Sequence, residues 1–229
     1  RKRRPSNEEE NKASASAVVP AGGADDDDDD DDDDTAGDSD TDEQAKQFHW
    51  YSSVFAGSRR KLDMGYHGLY TMQRQRLQDS IVQDIITTGS KKTCEDPWIV
   101  FSAGAMGAGK SFAGRWMSNK GYFPLPDFVK VDADSIRTYL PEWRGYIAAE
   151  PMDAGRLTRS EAGMCVEIAM DAAMQNRKNV WVDGSLRESA WFEGLFDRIA
   201  REFRHYRIAI LSVSADREAI MRRVRRRGQ

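Results

Sequence analysis

Residues 98–111 read WIVFSAGAMGAGKS, an apolar run that passes directly into glycines. The second part, Gly104 to Ser111, satisfies the pattern G-x-x-x-x-G-K-S/T at every fixed position. Glycines in such a loop let consecutive backbone amides turn towards phosphate oxygens, and the positive end of the following helix adds to their field. The stretch therefore predicts a buried strand, a phosphate-binding loop and a helix that begins near Ser111.

Different residues of this loop are expected to bind different groups of a nucleotide and its metal ion. Lys110 is expected to reach the β and γ phosphates, and the Ser111 hydroxyl is expected to hold Mg²⁺. The fixed positions coincide by chance in roughly one chain in a hundred of this length, and the flanking strand and helix reduce that chance further. We therefore predict that ATP and Mg²⁺ bind through Gly104, Ala105, Met106, Gly107, Ala108, Gly109, Lys110 and Ser111.

The apolar pattern around the loop predicts an α/β domain. Short apolar runs at 128–131, 180–182 and 208–213 resemble the strand before the loop, and helical segments separate them. Strands that alternate with helices form a mostly parallel sheet covered by helices, here of the P-loop NTPase type. Apolar residues at helical spacing over 69–87 predict an amphipathic helix that packs on this domain. Thr158 and Glu161 have the spacing of a capping box at the start of the longest helical segment.

The residues that follow the strands favour a kinase over other P-loop proteins. A GTPase needs an N-K-x-D base reader, which the sequence lacks, and no predicted strand ends in the adjacent acids typical of an ATPase motor. A small kinase needs a carboxylate that takes the acceptor proton and arginines that neutralise the transferred phosphoryl group. Asp132 and Asp134 follow one strand, and Asp183 and Arg187 follow the next, at the sheet edge where ligands bind. Asp134 has an alternative role as the N-cap of the next helix.

The N-terminal stretch differs in composition from the rest of the chain. Residues 1–43 hold 17 acidic and 5 basic side chains, including a run of aspartates at 25–34. Charge repulsion and the lack of apolar residues predict that residues 1–47 are a disordered acidic tail, either a solvating segment or a site for a protein partner. Residues 48–92 are then a helical N-terminal extension. Residues 93–229 are the kinase domain, which is basic and which we expect to continue beyond Gln229.

Cysteine usage and hydropathy exclude several other classes of protein. Cys94 and Cys165 form neither a disulfide framework nor a zinc spacing, which favours a reducing compartment. No apolar run reaches the roughly 18 residues that a membrane helix needs, and no apolar signal segment follows the basic N-terminus. We expect a cytoplasmic protein without a membrane partner. The basic cluster RKRRP at residues 1–5 is an alternative signal for nuclear import.

Taken together, these motifs resemble those of the zeta toxin family of P-loop kinases, from about Trp98 to the end of the chain. Members have a D-x-D-x-F/I/L-R segment followed closely by proline, which is matched by Asp132 to Arg137 with Pro141. They then have a helix with an inward glutamate and a strand that ends E/D-G-T-x-R. These features are matched by Glu167 and by Asp183 to Arg187.

The resemblance implies a role for each matched residue. Asp134 would be the general base on the acceptor hydroxyl, Lys110 the phosphate clamp and Ser111 a metal ligand. The family's catalytic lid arginines would fall in the C-terminal helix, where Arg225, Arg226 and Arg227 are candidates and Arg227 is our choice. The acceptor is UDP-N-acetylglucosamine in bacterial members, and it would lie among Asp132, Arg137, Glu167, Asp183, Ser185 and Arg187.

Departures from the family pattern leave the acceptor open. Asp183 stands where glutamate is commoner, and Ser185 where threonine is commoner. Alternatives are a nucleoside, nucleotide or polynucleotide-end kinase on the same fold, or a nucleotide-binding interaction protein without turnover. The arginines at 222–227 suit nucleic acid as well as a lid, and we favour the lid. The long tail is typical of a eukaryotic protein, and His49, His67 and His205 are expected to be structural.

Overall fold

The sheet of this protein is parallel throughout. A computed structural model describes residues 54–89 and 92–227 of the chain. Within them four strands pair in the order β2-β3-β1-β4, and all neighbours run parallel. The strands are β1 (Trp98–Ala103), β2 (Phe128–Asp132), β3 (Asn179–Asp183) and β4 (Arg207–Ser212). The predicted α/β class and parallel sheet are confirmed, whereas the predicted disordered tail lies outside the described residues.

Helices connect and cover these strands. In chain order they are α1 (Ala56–Arg59), α2 (Met64–His67), α3 (Met72–Thr88), α4 (Lys110–Asn119), α5 (Ala133–Arg137), α6 (Trp143–Ala149), α7 (Ala154–Leu157), α8 (Arg159–Gln175), α9 (Ser189–Glu202) and α10 (Arg217–Arg227). Because the strands are parallel, their carboxyl ends meet at one edge of the sheet. The loop before α4, the start of α5 and the segment between β3 and α9 therefore lie at the same edge. In the described residues, no helix combines the length and hydrophobicity needed to cross a membrane.

The main core lies between one face of the sheet and α8. Alternate strand residues point to this face, namely Ile99, Phe101, Val129, Val131, Val180 and Val182. Helix α8 is apolar around most of its circumference, so α3 covers the side that the sheet does not. Burial raises the pKa of Cys165 on α8 to about 12, so its thiol stays protonated and packs as an apolar group.

The predicted capping box at the start of α8 is wrong. The Thr158 hydroxyl donates to the carbonyl oxygen of Ala154, 2.8 Å away, and makes no side-chain cap for the helix. Thr158 follows α7 directly with φ −102° and ψ 1°, which is not the extended conformation in which a capping side chain reaches back to the helix amides. The Glu161 carboxylate binds Arg74 and Gln78 of α3 instead.

Arg74 joins three elements through its guanidinium group. Its Nε and Nη2 donate to the two carboxylate oxygens of Glu161, at 2.6 and 2.8 Å, and its Nη1 donates to Glu142 at 2.7 Å. Glu161 is buried, so it depends on this partner for its charge. The predicted helix over 69–87 is therefore α3, fixed to α8 by an ion pair as well as by apolar contacts.

Replacing Arg74 with methionine should lower the free energy of unfolding by about 2–4 kcal/mol, because it leaves the Glu161 carboxylate buried without its charged partner. Urea unfolding followed by circular dichroism would measure the loss. Arg76→Met is the matched control, because Arg76 lies on the same helix but is exposed. A loss below about 1 kcal/mol, the range of a surface pair, would contradict a buried role for this ion pair.

Candidate active site

The predicted P-loop leaves β1 at the carboxyl edge of the sheet. Gly104, Gly107 and Gly109 have φ values of 137°, 83° and 103°, in the region that side chains disfavour. At Gly104 a Cβ atom would also lie 2.2 Å from the carbonyl oxygen of Val213 after β4. The loop path therefore requires glycine there. Helix α4 then begins at Lys110, as the motif predicts, with its amino end facing the loop.

Ser111 lies beside Asp183, which the family resemblance assigns to the acceptor rather than to the metal ion. Its hydroxyl donates to Oδ2 of Asp183 across 3.3 Å, and Oδ1 of Asp183 accepts from the Ser102 hydroxyl at 2.7 Å. Asp183 is the last residue of β3, and β3 pairs directly with β1, which explains the contact. A hydroxyl and a carboxylate oxygen are ligands that Mg²⁺ accepts. The residues present therefore fit the predicted ion, and Asp183 joins Ser111 as a candidate ligand.

A cavity of about 420 Å³ brings most of the predicted site residues together. The P-loop forms one wall, and residues that follow β2 and β3 form the other. Its lining includes Gly107, Gly109, Lys110, Ser111, Asp132, Asp134, Arg137, Asp183 and Ser185. Lys110 is anchored in this wall, because its Nζ donates to the Gly104 carbonyl oxygen at 2.9 Å. The predicted phosphate-binding groups and the acidic groups thus face one space.

Asp132 and Asp134 have different positions in this cavity. Asp132 caps α5, since its Oδ1 accepts from the Asp134 amide at 3.0 Å and its Oδ2 accepts from the Ser135 hydroxyl at 2.8 Å. The alternative of Asp134 as the N-cap is therefore wrong. The Asp134 side chain is 86% exposed and contacts the Arg137 guanidinium, which lies on the same face of α5. Its carboxylate is accessible to a ligand in the cavity.

Glu167 lies in an adjoining cavity of about 390 Å³. This second cavity meets the first at Ala133, and aromatic side chains line it together with charged groups. The lining is Asp63, Tyr66, His67, Ala133, Arg159, Gly163, Val166, Glu167, Glu188, Trp191 and Phe192. Arg187 is exposed and, in the described part of the chain, lines neither cavity. The structure thus separates two of the predicted acceptor residues, Glu167 and Arg187, from the others.

Helix α10 packs against the other side of the P-loop. The Arg223 guanidinium donates to the carbonyl oxygens of Gly107 and Ala108, each at 3.1 Å. Arg223 and Arg226 line a cavity of about 590 Å³ together with Phe112. Arg227 is the last residue of α10, and its side chain lies outside the described residues. The sequence analysis chose Arg227, with Arg225 and Arg226 as further candidates, and it did not single out Arg223 from the cluster at 222–227, although the spacing of Arg223 and Arg226 places both on one helix face.

The second cavity is also lined by four residues that the sequence analysis did not assign to the site, namely Tyr66, His67, Trp191 and Phe192. Tyr66 and His67 come from α2, about 100 residues before the helix that they contact. Trp191 and Phe192 lie at the start of α9. No motif marks these positions, because only the packing of α2 and α9 onto α8 brings them to Glu167.

Comparison with known proteins agrees with the fold. The sequence model described as Zeta toxin matches residues 83–229, more than half of the chain. The fold is similar to that of a solved structure described as "Molecular and structural characterization of the PezAT chromosomal toxin-antitoxin system of the human pathogen Streptococcus pneumoniae". The TM-score is 0.58 and the sequence identity is 18%. That match covers 67% of this chain and 62% of the other, so this chain spans less than two thirds of its length. No curated protein matches at a significant level. The parallel sheet, the P-loop and the matched range together show that the chain belongs to the zeta toxin family of P-loop kinases.

Proposed function

We propose that this protein transfers the γ-phosphoryl group of ATP to a hydroxyl of a small molecule, in the first instance a nucleotide sugar such as UDP-N-acetylglucosamine. The cavity that joins Lys110 and Ser111 to Asp134 and Arg137 carries the proposal. In this cavity a lysine and a serine suited to phosphates and Mg²⁺ lie opposite a carboxylate that can take a proton, which is the arrangement that phosphoryl transfer requires. The space beside Phe112 and Arg223 is the candidate for the rest of the nucleotide.

The residues of this cavity supply a complete transfer step. The P-loop amides and Lys110 hold the β and γ phosphates, and Asp134 accepts the proton of the acceptor hydroxyl. The acceptor oxygen then bonds to the γ phosphorus while the bond from that phosphorus to the β-phosphate oxygen breaks, and ADP leaves. Arg137 contacts Asp134, so it both orients the base and brings positive charge to the transferred group.

Ser111 and Asp183 are the residues that would hold Mg²⁺. Bound there, the ion would neutralise part of the phosphate charge. Asp183 has a second fixed partner in Ser102, which holds its carboxylate towards Ser111. The aspartate, shorter than the glutamate commoner in the family, therefore has a role beside the P-loop that does not depend on the acceptor.

Asp183→Asn should raise the Mg²⁺ concentration needed for half-maximal nucleotide affinity by about tenfold, because an amide oxygen carries no charge for the ion. Measuring the affinity for ADP at increasing Mg²⁺ concentrations gives this dependence without turnover. Electron paramagnetic resonance of Mn²⁺ in the presence of ADP gives a second measurement of metal binding. Asp197→Asn on the exposed surface of α9 is the control. An unchanged Mg²⁺ requirement would exclude Asp183 as a metal ligand and would favour its role in binding the acceptor.

The cavity around Glu167 favours a small acceptor over a nucleic acid end. Tyr66, Trp191 and Phe192 offer flat apolar surfaces on which a sugar or base can stack. Its charged lining comprises three carboxylates, Asp63, Glu167 and Glu188, and one arginine, Arg159. Carboxylates accept hydrogen bonds from hydroxyl groups but repel phosphates, so this cavity suits the sugar of an acceptor and not a run of backbone phosphates. A polyhydroxylated ring fits this chemistry.

Phosphoryl transfer from γ-labelled ATP tests the proposal. The acceptors are UDP-N-acetylglucosamine, a panel of nucleosides and nucleotides, and an oligonucleotide with a free 5′-hydroxyl. Label on UDP-N-acetylglucosamine that is lost in Asp134→Asn would support the nucleotide sugar. Label on the oligonucleotide end would support the polynucleotide kinase instead, and ATP binding without transfer to any acceptor would support an interaction protein.

A further inference from the structure

His67 is buried against the helix that carries Glu167. Only 3% of His67 is exposed, although it lies on a short helix in the N-terminal part of the chain. Its Nδ1 lies 3.0 Å from the Ser160 carbonyl oxygen, and its Nε2 lies 3.1 Å from Oε1 of Glu167. Both ring nitrogens therefore have a partner on or beside the first turns of α8.

These contacts fix where the protons are. A carbonyl oxygen only accepts, so Nδ1 must carry a proton that it donates to Ser160. An ionised carboxylate also only accepts, so the contact between Nε2 and Oε1 is a hydrogen bond only when one proton lies between them. When the ring loses one of its two protons, one nitrogen lone pair faces an oxygen of Ser160 or Glu167, and that pair repels. The orientation of Glu167 thus depends on one shared proton.

The surroundings of His67 favour keeping this proton. Burial, the largest single influence, disfavours the charged ring, but the hydrogen bonds to Glu167 and Ser160 and the charges of Glu167 and Asp63 outweigh it. The pKa of His67 is therefore raised above its ordinary value of 6.5. The other titratable groups at the same cavity are Tyr66, whose ring edge packs on the imidazole, and Arg159 and Glu188, which pair with each other at the opening.

Helix α2 is held firmly enough to position a side chain. Oδ1 of Asp63 caps it by accepting from the amides of Gly65 and Tyr66, at 2.9 and 3.2 Å. From α8, the Ser160 hydroxyl contacts the carbonyl oxygens of Tyr66 and His67, at 3.0 and 2.9 Å. Helix α2 precedes residue 83, where the family match begins.

We propose that His67 is a positioning residue for the acceptor, which holds the Glu167 carboxylate through a shared proton so that its second oxygen faces the cavity. Among the described residues, none is hydrogen-bonded to Oε2 of Glu167. His67 and Glu167 both line the second cavity. An acceptor hydroxyl can donate to that oxygen. This inference rests on the proposed function for the identity of the acceptor, but not for the state of the His67–Glu167 pair.

The shared proton is tested without any acceptor. The chain has three histidines, so proton NMR of the imidazole signals over pH 5–9, assigned with His67→Phe, gives the titration midpoint of His67. In the wild type the midpoint is expected above pH 6.5. In Glu167→Gln it is expected to be lower than in the wild type, because the ring loses the hydrogen bond and the charge of the carboxylate while it stays buried. Equal midpoints in the two proteins would overturn the proposal whatever the acceptor.

The positioning role is tested by equilibrium binding of UDP-N-acetylglucosamine and of ATP. His67→Phe keeps a buried ring and removes both N–H groups, so acceptor affinity should fall by about tenfold or more while ATP affinity stays unchanged. His67→Gln keeps an uncharged N–H donor and should restore most of the acceptor affinity. His205→Phe is the matched control before β4, and melting temperatures show whether each variant folds.

The pH dependence of binding separates positioning from a purely structural role. The folded pKa of His67 is raised, so the interaction is present at low pH and is lost as pH rises through that pKa. The affinity of the wild type for the acceptor should therefore fall as pH rises through the pKa of His67. The affinity of His67→Gln should not change with pH in the same interval. Unchanged acceptor affinity in His67→Phe would overturn the positioning role. If the wild type binds no nucleotide sugar, the proposed acceptor is wrong and this role falls with it, while the NMR result still decides the shared proton.

Discussion

Asp134→Asn is expected to slow phosphoryl transfer by at least about a hundredfold, the scale on which loss of a general base acts. An amide has nearly the same size and shape as the carboxylate but accepts no proton from the acceptor hydroxyl. Asp134 lies opposite the P-loop rather than within it, so the dissociation constant of ATP should stay unchanged. Single-turnover transfer from γ-labelled ATP measures the first quantity, and equilibrium binding of ATP measures the second.

The control for this variant is Asp153→Asn. Asp153 is also paired with an arginine three positions later, as Asp134 is with Arg137, but it does not line the cavity. Loss of transfer in both variants would point to a general effect of removing such pairs. Unchanged transfer in Asp134→Asn would exclude this residue as the base, and Asp132, which caps α5, would be the next carboxylate to test.

The fold was predictable because its signals are local in sequence. The apolar run at 98–101 and the glycines behind it are contiguous, and each later strand carries a run of the same kind. Parallel pairing then follows from the alternation of strands with helices. The P-loop conformation is equally local, since Gly104, Gly107 and Gly109 adopt the left-handed backbone that the motif implies.

Features that depend on distant partners were not predictable in the same way. Thr158 and Glu161 have the spacing of a capping box, but Arg74, from 87 positions before Glu161, binds that carboxylate instead. Asp132 and Asp134 are both plausible caps by sequence, and the backbone at the end of β2 selects Asp132. No sequence motif links His67 to an acidic residue, because its partner Glu167 is 100 positions away.

The arrangement of the two cavities has a consequence for the acceptor. The family resemblance groups Glu167, Asp183 and Ser185 in one pocket, whereas here Asp183 and Ser185 lie with the P-loop and Glu167 lies beyond Ala133. An acceptor that reaches both must be long enough to pass Ala133. The proposed nucleotide sugar, which joins a sugar ring, two phosphates and a nucleoside in one extended molecule, would meet this requirement.

Lys110→Met should affect ATP binding and transfer together, in contrast to Asp134→Asn. Methionine keeps most of the length of the side chain but lacks the charge that faces the β and γ phosphates. We expect ATP to bind about tenfold or more weakly and transfer at saturating ATP to fall by at least about a hundredfold, because the phosphoryl charge grows in the transition state. Equilibrium binding and single-turnover transfer measure both effects.

Lys120→Met is the matched control, since Lys120 directly follows the same helix and is exposed. Lys110 also donates to the Gly104 carbonyl oxygen, so the melting temperature of Lys110→Met must be compared with that of the wild type. If the variant is stable and still binds ATP normally, the loop does not hold phosphates through this lysine, and the proposed kinase loses its phosphate clamp. If ATP binding weakens but transfer at saturating ATP does not, Lys110 stabilises bound ATP and not the transition state. Other positive groups must then stabilise the transition state, and Arg137 on α5 and Arg223 on α10 are the candidates.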